Sequence, residues 1–346
     1  MIREAIAHLV AGQSLSEAEA AETMEEIMTG VATPSQLGAF LTALRLKGET
    51  VEEVTGLARV MREQAVRVPL AESVRAVDTC GTGGDASGTF NVSTAAGLLV
   101  AALGVPVAKH GNRAATSRCG SADVLEALGV RLELGPEQVA QCVEQAGFGF
   151  MFAPTYHPAM RHVGPTRREI GIRTIFNILG PLTNPAHVRY QVLGVPDPKL
   201  LPLMGEALLR LGGARALVVH GEDGVDELSL SGPTRICEVD GAAGTLREYT
   251  VTPEDLGCAT APREAVLGGD AQANAQLLRG LLGGRVDGAP ADMVALNAGA
   301  ALYITGRADS LADGVRQSRA GLRERRGAAT LETLAATTQR LGATVA

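Results

Sequence analysis

The chain has 346 residues, 46% of them hydrophobic but only 3% aromatic, with 42 Gly and no Trp. A large core is therefore available, and it must be packed with Ala, Val and Leu, as where helices cover a parallel sheet. The 31 basic and 38 acidic residues leave a net charge of −7, which argues against nucleic acid as the main partner while allowing a local basic pocket.

Residues up to about Val68 read as consecutive amphipathic helices. Ser16 with Glu19 is a capping-box signature and Gly30 stops that segment; Thr33–Pro34 opens a helix that Gly48 closes, and Thr50 with Glu53 opens the next. Short helices cannot each hide an apolar face alone, so they must bundle, and the spare face of such a bundle is often a dimer surface. From Val74 the pattern changes. Strand candidates VRAVDTC, VPVAKH, VRLEL, FGFMFAP, YQVLGV and ARALVVH alternate with helix candidates 93–103, 121–128, 136–146 and 200–211. That order predicts a mostly parallel sheet covered on both faces. After Thr245 a β excursion, LREYTV, precedes long Ala-rich helices.

Five cysteines (Cys80, Cys119, Cys142, Cys237, Cys258) include no CxxC pair, so neither a disulfide framework nor a zinc site is expected. The N-terminus has no signal-peptide core, and the longest apolar run, 95–108, is broken by Gly97, Gly104 and Pro106. A cytoplasmic protein without a membrane span is the expectation.

Four segments carry chemistry. The first, Asp78–Asp85 (DTCGTGGD) followed by Gly88–Thr94, leaves a strand and runs into a helix. Its glycines let backbone N–H groups approach an anion, the helix start adds its positive end, and Ser93 and Thr94 offer hydroxyls to phosphate or metal. It is neither a Walker loop nor a GxGxxG turn. The second, Lys109–Ser117 (KHGNRAATS), sets two cations, an imidazole, an amide and two hydroxyls at the end of another strand. Lys109 and Arg113 can neutralise phosphate, and Ala114 and Ala115 leave room for close backbone approach. The third, Arg161–Arg173, holds four arginines; Arg167 and Arg168 face different sides of a helix, and one of them can grip a carboxylate. Read alone, it is also an ordinary salt-bridge patch. The fourth, Glu222–Glu227 (EDGVDE), suits a hard cation such as the magnesium that accompanies polyphosphate substrates, or is a plain acidic turn.

Together DTCGTGGD, FNVSTAAG, KHGNRAATSRCGSADVLEALG, RREIGIRTIFNILGPLTNP and DGVDELS closely resemble the anthranilate phosphoribosyltransferase family, in family order and spacing. The resemblance implies a nucleoside phosphorylase/phosphoribosyltransferase-like fold. A small all-helical domain (1–70), towards which 167–185 packs, would join a large α/β domain (71–346). The implied reaction transfers 5-phosphoribosyl from phosphoribosyl diphosphate to the amine of anthranilate, the second step of tryptophan biosynthesis from chorismate, in a homodimer joined through the helical domain. The diphosphate site would comprise Gly81, Gly84, Asp85, Thr89, Asn91, Val92, Ser93, Thr94, Lys109, His110, Gly111, Asn112, Arg113, Ala114, Ala115, Thr116, Ser117 and Ser121. Gly81, Asn112 and Arg167 would bind anthranilate, and Ser93, Asp226 and Glu227 would hold Mg2+. No single general base is implied; Lys109 contributes electrostatically. Two alternatives remain open: a pyrimidine nucleoside phosphorylase, whose Lys-His stretch continues differently, and a non-catalytic relative that binds nucleic acid.

Overall fold

The computed structural model describes residues 1–114 and 118–343. Four helices come first: α1 (Ile2–Val10), α2 (Glu17–Met28), α3 (Pro34–Lys47) and α4 (Val51–Glu63). Then follow β1 (Val77–Gly81), α5 (Val92–Ala102), β2 (Val107–Gly111), α6 (Ser121–Ala127), α7 (Pro136–Ala146) and β3 (Phe148–Phe152). Short helices α8 (Ala153–Tyr156), α9 (Gly164–Ile170) and α10 (Phe176–Leu179) lead to β4 (Tyr190–Gly194), α11 (Leu200–Arg210) and β5 (Arg215–Gly221). A hairpin, β6 (Thr234–Asp240) and β7 (Thr245–Val251), precedes α12 (Ala271–Leu282), α13 (Ala289–Ile304), α14 (Leu311–Arg323) and α15 (Arg326–Ala343).

The caps read in the sequence are in place. Ser16, Thr33 and Thr50 each accept from the backbone N–H three residues on, and Glu19, Gln36 and Glu53 return the bond, each box stabilising its helix start by about 1 kcal/mol. Gly30 and Gly48 follow the ends of α2 and α3 at φ of 75° and 90°, backbone that side chains resist.

The sheet runs β3-β2-β1-β4-β5-β6-β7; the first five strands are mutually parallel, and the last two are antiparallel. Alternate side chains feed two apolar clusters, as the strand period of two requires. Val192, Leu217, Val219 and Ile236 join the core made with α5, α12 and α13. Leu193, Ala216, Val218, Cys237 and Val239 join a second core that also takes Phe40, Leu44, Leu57 and Met61 of α3 and α4. Val163, Ile175, Phe176, Leu179 and Leu182 bury into this second core.

Two expectations fail. VRLEL forms no strand: Val130, Leu132 and Leu134 are buried as alternation requires, but the Arg131 N–H donates to the Thr338 hydroxyl and the Leu134 carbonyl accepts from Tyr156. Its backbone is satisfied by side chains from α15 and α8, so no ladder forms. Conversely β6, TRICEVD, was not anticipated, although Ile236, Cys237 and Val239 are core residues. Among the described residues no helix is long and apolar enough to cross a membrane, and all five cysteines are free thiols.

The chain runs from β1 outwards to β3, then returns to place β4 on the other flank of β1. Strand order reverses between β1 and β4, and open parallel sheets bind ligands in the crevice beyond such a switch point. Gly81 and Gly194, the last residues of the two strands, face each other in register there.

Candidate active site

Beyond β1 the chain turns through Thr82–Asn91 before α5 starts. The turn is folded onto the acidic segment that follows β5. A Cβ on Gly81 would collide with the Asp226 carboxylate, and one on Gly194 would collide with the Asp226 carbonyl. Both strand ends must be glycine for Asp226 to enter the crevice. Its Oδ2 accepts from the Gly83 N–H at 2.8 Å, and Thr82 N–H donates to the Gly194 carbonyl at 2.9 Å.

The electrostatics of this corner are those of a cation site. Burial pushes the Asp226 carboxyl up to about 7, with the charge of Asp85 adding to the effect. Burial, then Asp226, drive Glu227 well above the ordinary range, while Lys109 and the Ser93 N–H pull it down. Asp85 Oδ2 is buried without a protein partner. Three carboxylates that oppose one another's ionisation, beside a serine hydroxyl, fit a hard cation. Among the described residues no three His, Cys, Asp or Glu side chains close into a complete metal cluster. An ion such as Mg2+ keeps waters and takes other oxygens from a phosphate ligand, so it needs few protein ligands.

Lys109, on β2, is 2% exposed. Its Nζ donates to the Thr79 carbonyl and, at 3.2 Å, to Ser93 Oγ. This pins the start of α5 to the ends of β1 and β2 and brings positive charge beneath the acidic pair. Ser93 is half-buried, Thr94 buried with its hydroxyl unpartnered, and Val92 fully buried, so Val92 offers only its backbone. Gly84 stands at φ 76°, and Thr89 pairs its hydroxyl with Ser87 at 3.0 Å.

A segment from the C-terminal half straps the same loop down. Arg263 donates to the Ala86 and Ser87 carbonyls, Gly268 N–H donates to the Gly88 carbonyl at 2.8 Å, and Thr89 bridges to Leu267. Asn274, 2% exposed, accepts from Gly269 N–H and donates to Asn91 Oδ1 at 2.9 Å. That leaves the Asn91 amide nitrogen to donate to the Cys119 carbonyl.

After β2 the second motif divides. Asn112 and Arg113 are exposed, and Ser121 Oγ, facing Gly111, donates to the Asn112 carbonyl at 3.3 Å. Arg113 forks onto Glu126 and also reaches Asp123. The Ala114 N–H is taken by Asp123. The guanidinium is thus turned onto α6, its charge already matched. Ala115, Thr116 and Ser117 lie outside the described residues. His110 is buried: Nδ1 meets the Gly180 carbonyl at 3.1 Å and its ring lies 5.0 Å from that of His157. Burial pushes these imidazoles down to about 3 and about 4, and both Nε2 atoms lack a partner. Asp78 is buried beneath, accepting from Asn184 Nδ2 and the His110 N–H.

Arg167 stands apart from the phosphate loop. It is half-buried on α9 with its guanidinium 5.5 Å from the Phe176 ring centre, while Arg168 is exposed. Burial lowers the Arg167 pKa. The crevice therefore gathers Gly81, Gly84, Asp85, Ser93, Lys109, Asp226 and Glu227 at one point, with Thr89 and Asn91 in the strapped loop. Asn112, Arg113 and Ser121 form one flank, and among the described residues no hydrogen bond or ion pair joins the Arg167 side chain to either group. His157, Arg263 and Asn274 escape the sequence reading, and Arg173 (whose Nη2 donates to the Gly83 carbonyl at 3.0 Å) lies in the third motif but is given no role of its own there. Each is a single residue far along the chain from its partner. A separate cavity of about 610 Å³ lies between Glu254–Gly257 and α14 and holds none of the motif residues.

Family models described as the helical bundle domain and the a/b domain of a glycosyl transferase family match residues 3–65 and 73–330. The chain is 57% identical over 333 residues to the anthranilate phosphoribosyltransferase of Roseiflexus sp. (strain RS-1), covering 96% of this chain and 97% of the relative. To that of Rubrobacter xylanophilus it is 54% identical over 341 residues, covering 99% and 98%. The crystal structure of anthranilate phosphoribosyltransferase from Thermus thermophilus superposes with a TM-score of 0.91 at 49% identity, over 97% of this chain and 99% of that one. The Saccharomyces cerevisiae enzyme in complex with PRPP and Mg shares the fold, with a TM-score of 0.90 at 24% identity over 98% of both chains.

Proposed function

We infer the working of the site from one premise: the chain belongs to the anthranilate phosphoribosyltransferase family. It transfers the 5-phosphoribosyl group of phosphoribosyl diphosphate to the amine of anthranilate, giving N-(5-phosphoribosyl)anthranilate and diphosphate. The bond from ribose C1 to the leaving oxygen breaks, and its electron pair departs with the diphosphate. The amine nitrogen forms the new bond to C1 and releases a proton.

The observation that carries this reading is the meeting of an anion-binding glycine turn with an acidic pair across two glycine strand ends. A sugar diphosphate needs backbone N–H donors and a cation together. Ser93, Asp226 and Glu227 would hold Mg2+, with Asp85 alongside, and the ion would neutralise charge on the diphosphate when bound. Gly81, Gly84, Asp85, Thr89, Asn91–Thr94, Lys109–Ser117 and Ser121 would surround the sugar and its phosphates. Lys109 holds positive charge close to the departing group without needing to move, the preorganised electrostatics that lowers such barriers. Anthranilate would lie towards Gly81, Asn112 and Arg167, its carboxylate on a guanidinium. His110 and His157, held neutral by burial, give that side imidazole nitrogens without added charge. An aromatic amine is a competent nucleophile when neutral, so orientation beside C1, which can contribute about 7–11 kcal/mol, takes the place of a general base.

A division at about residue 70, a homodimer through α1–α4, and a cytoplasmic location complete the proposal. Val10, Val31 and Leu46 are 74%, 68% and 83% exposed in the helical region, and the five thiols are unpaired. The deciding assay follows loss of anthranilate fluorescence with and without phosphoribosyl diphosphate, beside a parallel assay with thymidine and phosphate. Loss dependent on phosphoribosyl diphosphate is expected; phosphorolysis of thymidine in its place would overturn the reading in favour of a nucleoside phosphorylase.

A further inference from the structure

We propose that Arg173 binds the diphosphate leaving group, supplying an exposed positive charge at the glycine turn. The inference rests on the reading above and adds a residue to it. Arg173 follows α9 and reaches back over the turn. Its Nη2 donates to the Gly83 carbonyl at 3.0 Å, while Nη1 occupies the space that a Cβ on Gly84 would need. The guanidinium is thus flush against the one face of the turn that glycine leaves open. On its other side the same residue, Gly83, donates its N–H to Asp226. A cation and the proposed metal ligand therefore grip opposite ends of a single glycine.

Two arginines hold carbonyls of this turn without an ion pair, and of these Arg263 is half-buried on Ala86 and Ser87 whereas Arg173 is exposed. Lys109 is buried with its ammonium bound to Thr79 and Ser93. Arg113 is spent on Asp123 and Glu126, and Arg167 lies over Phe176. Arg173 is exposed and has no carboxylate partner among the described residues. One hydrogen bond leaves the rest of its five-donor fork free, and that fork matches phosphate oxygens in pairs. Asp85, Asp226 and Glu227 already crowd the corner with negative charge, and breakage of the C1–O bond adds more to the departing diphosphate. A free guanidinium at the rim is the group that offsets it.

The competing account is that Arg173 only pins the backbone of the turn. Arg173→Gln separates the two, because its amide can still donate to the Gly83 carbonyl but carries no charge. In the full chain, Arg173→Gln should raise KM for phosphoribosyl diphosphate, lower kcat, and cut kcat/KM for it about tenfold or more, with KM for anthranilate near that of the wild type. Binding of magnesium pyrophosphate by calorimetry should weaken in parallel, and Arg173→Lys should recover part of both losses. Wild-type kinetics and pyrophosphate affinity in Arg173→Gln would overturn the proposal. So would a loss confined to thermal stability, or one falling equally on both substrates. The pyrophosphate titration does not depend on anthranilate turnover, so it tests Arg173 even if the reaction assigned to the wild type were wrong.

Discussion

Asp226 and Glu227 hold the site's stored electrostatic tension. Both are driven upward by burial and by neighbouring acid, a cost that folding bears for a ligand that arrives later. Replacing either by Ala relieves the repulsion and removes a cation ligand together. Each variant should be no less stable than the wild type without metal, yet require about tenfold more magnesium for half-maximal rate. Titrating activity against magnesium checks this, and unchanged dependence in both variants would remove them from the cation site. His157 makes a second statement at this scale. It is 7% exposed, and burial sets its folded pKa at about 4 against an ordinary 6.5. A depressed histidine binds its proton more readily when unfolded, so its contribution is intact at pH 7.5 and is lost as pH falls from about 6.5 towards 4. Across that window the wild type should lose about 3 kcal/mol more stability than His157→Gln, measured by urea unfolding at each pH. Parallel losses in the two proteins would mean that His157 is not held neutral. What the sequence revealed about individual residues depended on their neighbours. Lys109, Ser93, Asp226 and the glycines sit in dense local patterns that suggest a phosphate and cation site once taken together, and they converge. The sequence offers Arg113 to phosphate without showing that Asp123 and Glu126, ten and thirteen positions on, also reach it once α6 folds back beneath it. The contacts of Asn274, and of Arg173 within the arginine-rich segment, were illegible for a related reason: each acts on a backbone or amide group about ninety or more positions away.

Among the elements, helix ends were written most clearly, because capping is decided within four residues. The capping boxes at Ser16 and Thr50 and the N-cap at Thr33 are present as read, and Gln36 completes a third box that the sequence reading did not include. Strands were less legible, since alternation records only burial. VRLEL alternates and is buried, but its partners are side chains; β6 does not alternate, since adjacent Ile236 and Cys237 are both buried, one in each apolar cluster. The strap formed by residues 263–274 belongs to this scale. It holds the phosphate loop through Arg263, Val266, Gly268 and Asn274, so it sets the conformation from which N–H groups meet the ligand. Asn274→Ala leaves the half-buried Gly269 N–H and Asn91 amide oxygen unpaired and should cost about 1 kcal/mol. It should also raise KM for phosphoribosyl diphosphate several-fold, with little change in KM for anthranilate. Denaturant unfolding with steady-state kinetics tests both, and an unaltered phosphoribosyl diphosphate KM would show that the strap has no influence on the site.

At the scale of the whole molecule, the small helical bundle and one face of the sheet share a continuous apolar core, so the N-terminal helices are tied to the scaffold that carries the site. Val10, Val31 and Leu46 stay exposed in that region, and they mark the surface proposed for a second copy. Light scattering should give twice 35.7 kDa for the wild type and a single chain for Val10→Glu/Leu46→Glu; a monomeric wild type would contradict the proposal. The placement of the crevice at the strand-order reversal of β1 and β4 makes the remaining claim a spatial one. A crystal structure with phosphoribosyl diphosphate and magnesium tests it most directly. The diphosphate should lie against Gly81–Asp85, with the metal between it and Ser93, Asp226 and Glu227. Sugar diphosphate found elsewhere, or a crevice left empty at saturating ligand, would contradict the account.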